Sequence, residues 1–322
     1  MERDVCRERE SLCVQEQLPY CTAACPVHVD VKGMMAAVGR RDFTAGFSFL
    51  AKMAPFPKII SRICDHPCQL ACKRSDAGGS LQIHALEQAC TEYADKKVSR
   101  VPLLPGKNKQ VAIVGGGLSG LTAAYDLAIK GYGVTVYEAS GRIGGRIGSF
   151  SEQQLPREQA DSDFSVLASM GIEIRCDCQV KAGENIDMDM LCNSCDAIYV
   201  GCRVKEMELW QTEIDSVTQV TSRKKIFGGG GQEPYSPIGS ISQGRVAAVS
   251  IDRFLQGASL TASREKSGAA ATRLYTSMKG VECLQPELPL AEGGYTECAA
   301  AREAGRCLQC QCVECVKVCE FL

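Results

Sequence analysis

The sequence predicts an α-helical, cysteine-rich segment, then an α/β domain of the Rossmann type, then a short cysteine-rich tail. The cysteines are one reason: of 20 in the chain, eight fall within residues 6–90 and five within residues 307–319. The other is the stretch between these groups. There an apolar strand pattern meets three glycines spaced G-x-G-x-x-G, and a helix pattern and a second strand ending at Glu138 follow.

Composition limits the kind of protein this is. The net charge of −2 leaves no basic excess for nucleic-acid phosphates. No run of 18 apolar residues predicts a membrane span, and the N-terminus lacks the apolar core of a signal peptide. We therefore expect a cytoplasmic protein with reduced cysteines, so close-spaced thiols indicate metal or iron–sulfur ligation rather than disulfides.

The helical segment is predicted over residues 1–100. Residues 21–26 read Cys-x-x-x-Cys-Pro, and residues 64–72 hold three thiols within nine positions. Iron–sulfur clusters take their ligands from such close groups. Apolar spacing predicts helix over residues 31–50 and again over residues 81–94. Buried apolar cysteines or a zinc site are the alternatives, and Cys90 is interpreted as a core residue.

These motifs, with the Pro-Phe-Pro at residues 55–57 and Ile83-x-x-Leu-Glu87, resemble a known module. It is the helical, two-cluster domain of the glutamate synthase small subunit and of the dihydropyrimidine dehydrogenase N-terminus. The resemblance implies that one [4Fe–4S] cluster binds Cys25, Cys64, Cys68 and Glu87. It implies that the other binds Cys21 and Cys72 with two upstream thiols. For these the chain offers Cys6 and Cys13, at wider spacing than the family's Cys-x-x-Cys.

The glycine triplet has a physical role at each position. Gly115 allows a tight turn, Gly117 lets backbone N–H groups approach a pyrophosphate, and Gly120 lets the helix pack closely on the strand. The helix N-terminus adds partial positive charge for the phosphates. Glu138, 18 residues after Gly120, can accept hydrogen bonds from ribose hydroxyls. The residues therefore predict a dinucleotide site, and by themselves leave FAD and NAD open.

The same family resemblance continues over residues 107–260 and implies a Rossmann-like FAD-binding domain. The residues it implies for the cofactor are Gly115, Gly117, Leu118, Ser119, Gly120, Glu138, Ala139, Arg142, Gly144, Gly145, Arg146, Leu155, Gly201, Gly230 and Gly231. NAD in this fold is the alternative.

The chain departs from the family in two ways. The family inserts a second nucleotide-binding fold for NADPH, but only 24 residues separate Cys202 from Phe227 here. A βαβ unit needs about 30 or more, so we expect no NADPH domain. The family's closing strand ends Gly-Gly-Asp, whereas Gly231 stands at the aspartate position and Glu233 is the nearest carboxylate.

The tail, residues 261–322, reads as a linker followed by a ferredoxin-like cysteine run. We expect one further cluster, on Cys310, Cys312, Cys315 and Cys319, with Cys307 able to replace either of the first two. Cys192-x-x-Cys195 has redox-type spacing but is interpreted as core packing.

No acid, base or nucleophile constellation stands out, so no catalytic residue is predicted. The predicted function is an electron-transfer subunit carrying FAD and two or three [4Fe–4S] clusters. Its partners would be a catalytic oxidoreductase subunit or a ferredoxin-like carrier. The alternatives are an NAD(P)H-dependent oxidoreductase of the glutamate synthase small-subunit type and a non-catalytic structural subunit.

Overall fold

A computed structural model describes residues 14, 17–95, 102–181, 186–201, 213–231, 233–264, 267–290 and 293–312. They form two compact units. A helical unit comprises the described parts of residues 1–53, 66–95 and 269–322, and a Rossmann unit comprises those of 54–65 and 96–268. The predicted ligands Cys6, Cys13, Cys315 and Cys319 lie outside the described residues.

The described α-helices are, in chain order, α1 Tyr20–Ala24, α2 Val31–Gly39, α3 Phe43–Met53, α4 Pro57–Ile63, α5 Pro67–Leu70, α6 Ile83–Tyr93, α7 Leu118–Ile129, α8 Arg157–Ser169, α9 Met188–Ser194, α10 Pro237–Leu255 and α11 Glu297–Gly305. The strands are β1 Gln110–Val114, β2 Gly133–Tyr137, β3 Glu173–Arg175, β4 Ala197–Val200 and β5 Ile226–Gly228. Within these ranges, no helix combines the length and apolar content that crossing a bilayer requires.

The helical pattern predicted over residues 31–50 is two helices rather than one. Helix α2 ends at Gly39, and Arg41 takes a left-handed backbone conformation with φ of 62°. The Asp42 side chain then accepts a hydrogen bond from the Ala45 N–H at 2.9 Å, in the first turn of α3. A capping carboxylate thus starts a new helix inside one continuous apolar pattern. Helix α6 matches the helix predicted near residues 81–94.

From residue 269 onward, the described part of the tail belongs to the helical unit, where α11 packs against α2 and α6. Glu303 is fully buried, and its carboxylate accepts hydrogen bonds from the backbone N–H groups of Gln82 at 3.0 Å and Glu287 at 2.8 Å. It also pairs with the buried Arg306 at 2.7 Å, and Arg306 donates to the Gly79 carbonyl at 2.8 Å. These contacts join both ends of the chain into one core, which the sequence did not predict.

The Rossmann unit contains a five-stranded sheet, all parallel, in the order β3-β2-β1-β4-β5. This is the doubly wound order, in which the chain direction across the sheet reverses between β1 and β4. Ligands of such sheets bind beyond the carboxyl ends of the strands at that point. Helices α7 and α10 pack closely there. Only glycine fits at position 244, since a Cβ would collide with the Ser119 carbonyl oxygen.

A charged network holds the C-terminal half of α10 in this unit. Asp252 accepts hydrogen bonds from Lys130 at 2.7 Å, Lys107 at 3.2 Å, Tyr132 at 2.8 Å and Gln256 at 2.6 Å. Burial opposes ionisation of Asp252, but these donors outweigh it and lower its pKa to about 2. The carboxylate therefore stabilises the fold at neutral pH.

Helix α4 also belongs to the Rossmann unit, although it directly precedes the cysteine motif. The Ile59 N–H donates to Asp163 Oδ2 on α8 at 2.9 Å, and the Phe56 ring meets Phe164 edge-on at 5.3 Å. Cys64 follows the last turn of α4, with its N–H donating to the Ile60 carbonyl.

Candidate functional site

The Rossmann unit has a cavity of 640 Å³ at the carboxyl ends of β1 and β4, where the topology predicts a ligand. Ten of the residues predicted for a cofactor line it: Gly115, Gly117, Leu118, Ser119, Glu138, Ala139, Gly145, Arg146, Gly201 and Gly230.

The N-terminus of α7 forms one wall of this cavity. No side chain caps the helix at Gly117, so its first N–H groups are available to an anion. A Cβ on Gly117 would meet nothing within 4 Å, whereas a Cβ on Gly120 would lie 2.0 Å from the Gly115 carbonyl oxygen. Gly115 itself has φ of 102°, which a glycine adopts without strain. The geometry fits the turn, approach and packing roles that the glycine fingerprint assigns.

Glu138 lies directly after β2 at the edge of the cavity. Its Oε2 accepts a hydrogen bond from the Gly116 N–H at 2.6 Å. Its Oε1 accepts from the Ser140 N–H at 2.9 Å and from the Ser140 hydroxyl at 2.7 Å. These donors orient the carboxylate beside the glycine loop, where ribose hydroxyls of a dinucleotide would reach it.

The opposite side of the cavity carries an aromatic and a basic side chain. Arg146 pairs with Glu233 at 2.8 Å and lies 5.0 Å from the centre of the Tyr235 ring. Burial raises the pKa of Tyr235 to about 12, although Arg146 lowers it. Glu233, the carboxylate nearest to the position where the family has an aspartate, therefore neutralises the charge of Arg146.

Five predicted residues do not line this cavity. Gly120 and Gly144 act through the backbone: Gly144 donates to the Gly116 carbonyl at 2.7 Å. Arg142 and Leu155 line a neighbouring cavity of 520 Å³, which shares Gly145 with the first. Gly231 lines neither of these two cavities.

Sequence reasoning missed the part of the lining that comes from outside the glycine fingerprint: Cys178, Gln179, Val180, Lys181, Tyr235 and Ser240. No motif marks these residues. They reach the cavity because β3 and β5 both end at the edge of the sheet where the cavity lies, and the segments that follow begin there.

In the helical unit, Cys25 and Glu87 are both buried. Backbone N–H groups of Val29, Val27 and His28 act to lower the pKa of Cys25, but burial has the larger effect. Burial raises the pKa of Cys25, and the nearby charge of Glu87 raises it further. Glu87 is 3% exposed, burial raises its pKa to about 8, and its Oε2 has no hydrogen-bond partner in the described structure. A buried carboxylate oxygen without a donor fits an atom that faces a metal cluster.

The histidine within the cysteine motif and the cysteines interpreted as core residues are packed against other side chains. His66 stacks on His84 with ring centroids 3.7 Å apart, and burial together with His84 lowers its pKa to about 3. Cys90 is fully buried, and Cys192 and Cys195 pack against the apolar core beside β1 and β4. The positions of Cys90, Cys192 and Cys195 agree with their interpretation as core residues.

The described residues contain no group of three or more His, Cys, Asp or Glu side chains arranged to hold a metal ion. An iron–sulfur cube spreads its ligands more widely than one ion does, because each ligand binds a different iron atom.

Comparison with known proteins bears on both units. Residues 2–99 match the family described as dihydropyrimidine dehydrogenase domain II, 4Fe-4S cluster. Residues 113–173 match the NAD(P)-binding Rossmann-like domain.

Three curated relatives illustrate the likeness. The NADPH-Fe(3+) oxidoreductase subunit beta of Geobacter sulfurreducens is 32% identical over 185 residues, which are 56% of this chain and 27% of the relative. The NADP(+)-dependent formate dehydrogenase subunit beta of Moorella thermoacetica is 26% identical over 56% of this chain and 29% of its own. The NAD-dependent dihydropyrimidine dehydrogenase subunit PreT of Salmonella typhimurium is 27% identical over 50% of this chain and 40% of its own.

The chain therefore aligns with less than half of each of these relatives. Among solved structures, Thermovibrio ammonificans THI4 aligns with 46% of this chain and 90% of its own at 16% identity, with a TM-score of 0.33. That likeness is too low to carry an argument.

The resemblance predicted from the sequence is confirmed by these matches. Residues 2–99 are thus similar to the dihydropyrimidine dehydrogenase domain II, 4Fe-4S family, and residues 113–173 to the NAD(P)-binding Rossmann-like domain.

Proposed function

We propose that the chain is an electron-transfer subunit that carries FAD in the Rossmann cavity and [4Fe–4S] clusters on its close-spaced cysteines. It would pass electrons between a partner donor and a catalytic oxidoreductase subunit. The observation that carries the proposal is the 640 Å³ cavity, which has the uncapped N-terminus of α7 on one wall and Glu138 at its edge.

Each part of the cavity has a role toward a dinucleotide. The first N–H groups of α7 would hold the pyrophosphate, and Glu138 would hold the ribose. Arg146 and Tyr235 line the other side. When bound, the flavin would supply the conversion between two-electron and one-electron transfer, while these residues fix its position and exclude water.

Cys25, Cys64, Cys68 and Glu87 are the proposed ligands of one cluster, following the family resemblance. Cys25 and Cys68 are 5% and 4% exposed, so a cluster there would be shielded from solvent. Neighbouring backbone N–H groups act to lower the pKa of Cys25 against the larger effect of burial, and so favour the thiolate, which is the form that binds iron.

The connection between β4 and β5 supports a relay rather than a complete NADPH-oxidising enzyme. Only residues 201–225 join the two strands, and a nucleotide-binding βαβ unit needs about 30 residues or more. A partner would then deliver the electrons. Two of the relatives, from Geobacter and Moorella, are themselves described as beta subunits, which supports work within a complex.

A second candidate function has one observation in its favour. The family matched by residues 113–173 is described as NAD(P)-binding, so the cavity could take a nicotinamide dinucleotide directly. The chain would then be an NAD(P)H-dependent oxidoreductase.

The test is anaerobic purification of the chain followed by flavin, iron and sulfide counts. We expect FAD at about one per chain. We also expect the flavin to bleach with dithionite and to bleach with NADPH only when the co-purifying partner is present. Rapid bleaching by NADPH in the isolated chain would refute the relay. Absence of flavin with tight NAD(P)H binding would establish the second candidate.

A further inference from the structure

A further cavity, which is lined by thiols, lies wholly within the helical unit. Its four thiols come from opposite ends of the chain: Cys21, Cys72, Cys307 and Cys310. None of them is in a disulfide. The family resemblance gives only the first two to a cluster and takes the remaining ligands from upstream of Cys21.

We propose that the tail supplies those remaining ligands, so that one [4Fe–4S] cluster binds Cys21, Cys72, Cys307 and Cys310. This inference rests on the proposed function, because it names the ligands of one of its clusters. Four thiolates are the usual ligand number for such a cluster.

The four cysteines line one cavity, although more than 200 residues separate the first pair from the second. Four thiolates gathered there would repel one another, and bound iron would remove that repulsion.

The cavity lining is positively charged. Lys32, Lys73 and Arg74 all line it. Arg74 is 3% exposed, and its Nη2 donates to the Glu282 carbonyl at 2.8 Å. Its buried Nε–H has no acceptor among the described residues. A cluster held by four thiolates carries net negative charge, so a cationic lining with an unused donor suits it.

Protein contacts hold the tail thiols at this cavity without any metal. The Cys307 N–H donates to the Ala304 carbonyl at 3.0 Å, one residue after the buried Arg306. Gln309 has φ of 49°, a left-handed turn between the two cysteines. The Gln309 side chain donates to the Lys32 carbonyl at 3.3 Å. The Cys-x-x-Cys is therefore positioned in advance, as a ligand loop should be.

The proposal competes with two other ligand sets. One is the tail cluster expected from sequence, in which Cys310 would join Cys312, Cys315 and Cys319. The other completes the site with Cys6 and Cys13. Cys310 can bind only one cluster, which excludes the tail set. Cys21 and Cys72 can also bind only one cluster, which excludes the set with Cys6 and Cys13, so variants can separate the three ligand sets.

The first experiment compares iron, sulfide and reduced-state electron paramagnetic resonance across double variants of the full chain, purified anaerobically. The Cys307→Ala/Cys310→Ala variant should lose about four iron atoms and one cluster signal relative to wild type. The iron content and the cluster signal should both be kept by Cys6→Ala/Cys13→Ala and by Cys312→Ala. The matched control is Cys283→Ala/Cys298→Ala, since both thiols are exposed in the helical unit. Full iron in the first variant, or loss of the same signal from Cys6→Ala/Cys13→Ala or Cys312→Ala, would overturn the proposal.

The second experiment needs no substitution and so does not depend on a variant folding. The wild-type holoprotein is alkylated with iodoacetamide before and after its clusters are removed, and each cysteine is followed by mass spectrometry. Cys21, Cys72, Cys307 and Cys310 should be protected together and become reactive together. Labelling of Cys307 while Cys21 and Cys72 stay protected would refute the shared site.

These outcomes separate the inference from the proposed function. A wild-type chain without iron would refute the clusters altogether. Iron that is retained by the wild type, but held independently of Cys307 and Cys310, would refute only the ligand set.

Discussion

The glycine loop allows binding and stability to be perturbed separately, through Gly117→Ala and Gly120→Ala. Gly117 has φ of −77° and ψ of 174°, a conformation open to any residue, and its Cβ would meet no protein atom within 4 Å. Alanine is a poorer N-cap than glycine but restricts the unfolded chain. We therefore expect the free energy of unfolding to change by less than about 0.5 kcal/mol. Since Gly117 lines the cavity, the new methyl group would occupy the approach of the pyrophosphate.

The Gly120→Ala variant should behave in the opposite way. Its Cβ would lie 2.0 Å from the Gly115 carbonyl oxygen and 3.1 Å from Ile113 Cγ2. Because the nearest obstacle is backbone, the strand-to-helix turn must move. Overpacking of this kind costs about 1–3 kcal/mol, and the better helix propensity of alanine returns about 1 kcal/mol. The obstacle is backbone and cannot rotate away, so the cost should lie at the upper end of that range, with a net loss of about 2 kcal/mol.

Two measurements on the flavin-stripped chain check this pair. Urea unfolding followed by circular dichroism gives stability, and quenching of FAD fluorescence gives affinity. Loss of one charge-assisted hydrogen bond to phosphate costs about 1.5–3 kcal/mol, so Gly117→Ala should bind FAD at least tenfold more weakly. Wild-type affinity in a folded Gly117→Ala variant would refute the assignment of the pyrophosphate to this helix end. Wild-type stability in Gly120→Ala would refute the packing argument.

Three further predictions concern carboxylates. Glu303→Ala leaves the buried Arg306 without its partner and should destabilise the helical unit by about 3–5 kcal/mol, measured as a lower urea midpoint. Asp252→Asn removes a carboxylate whose pKa is lowered to about 2, and after allowance for solvent screening should cost about 1–2 kcal/mol at pH 7. The ionised Asp252 carboxylate stabilises the fold fully above its unfolded pKa near 3.8, and this stabilisation is lost as the pH falls to about 2. The advantage of the wild type over Asp252→Asn should therefore disappear over that range in pH-dependent unfolding. Glu138→Gln keeps the side-chain shape but removes the charged acceptor, and should weaken FAD binding about tenfold in the same fluorescence titration.

Local pattern predicted the Rossmann unit well. The strand before Gly115, the helix after Gly117 and the acid at Glu138 lie where the sequence indicates, because each depends on neighbours within a few residues. The break between α2 and α3 was missed, since Asp42 caps a helix inside an unbroken apolar pattern.

The contribution of the tail could not be predicted for a different reason. Gln82 and Glu303 are 221 residues apart, and no local signal shows that a carboxylate near the end of the chain will accept a hydrogen bond from the start of α6. The tail cysteines consequently read as a self-contained cluster. The structure instead brings two of them beside Cys21 and Cys72.

A helical unit built from both ends of one chain constrains the order of events during biosynthesis. Residues 66–95 leave the ribosome long before residues 269–322, with the Rossmann unit between them. At 5–20 residues per second, synthesis of that stretch takes roughly 10–35 s. During this interval the backbone groups of Gly79 and Gln82 lack the partners that Arg306 and Glu303 later provide. The Rossmann unit can therefore fold first, and any cofactor held jointly by Cys21, Cys72, Cys307 and Cys310 can be inserted only after residues 307–310 have left the ribosome.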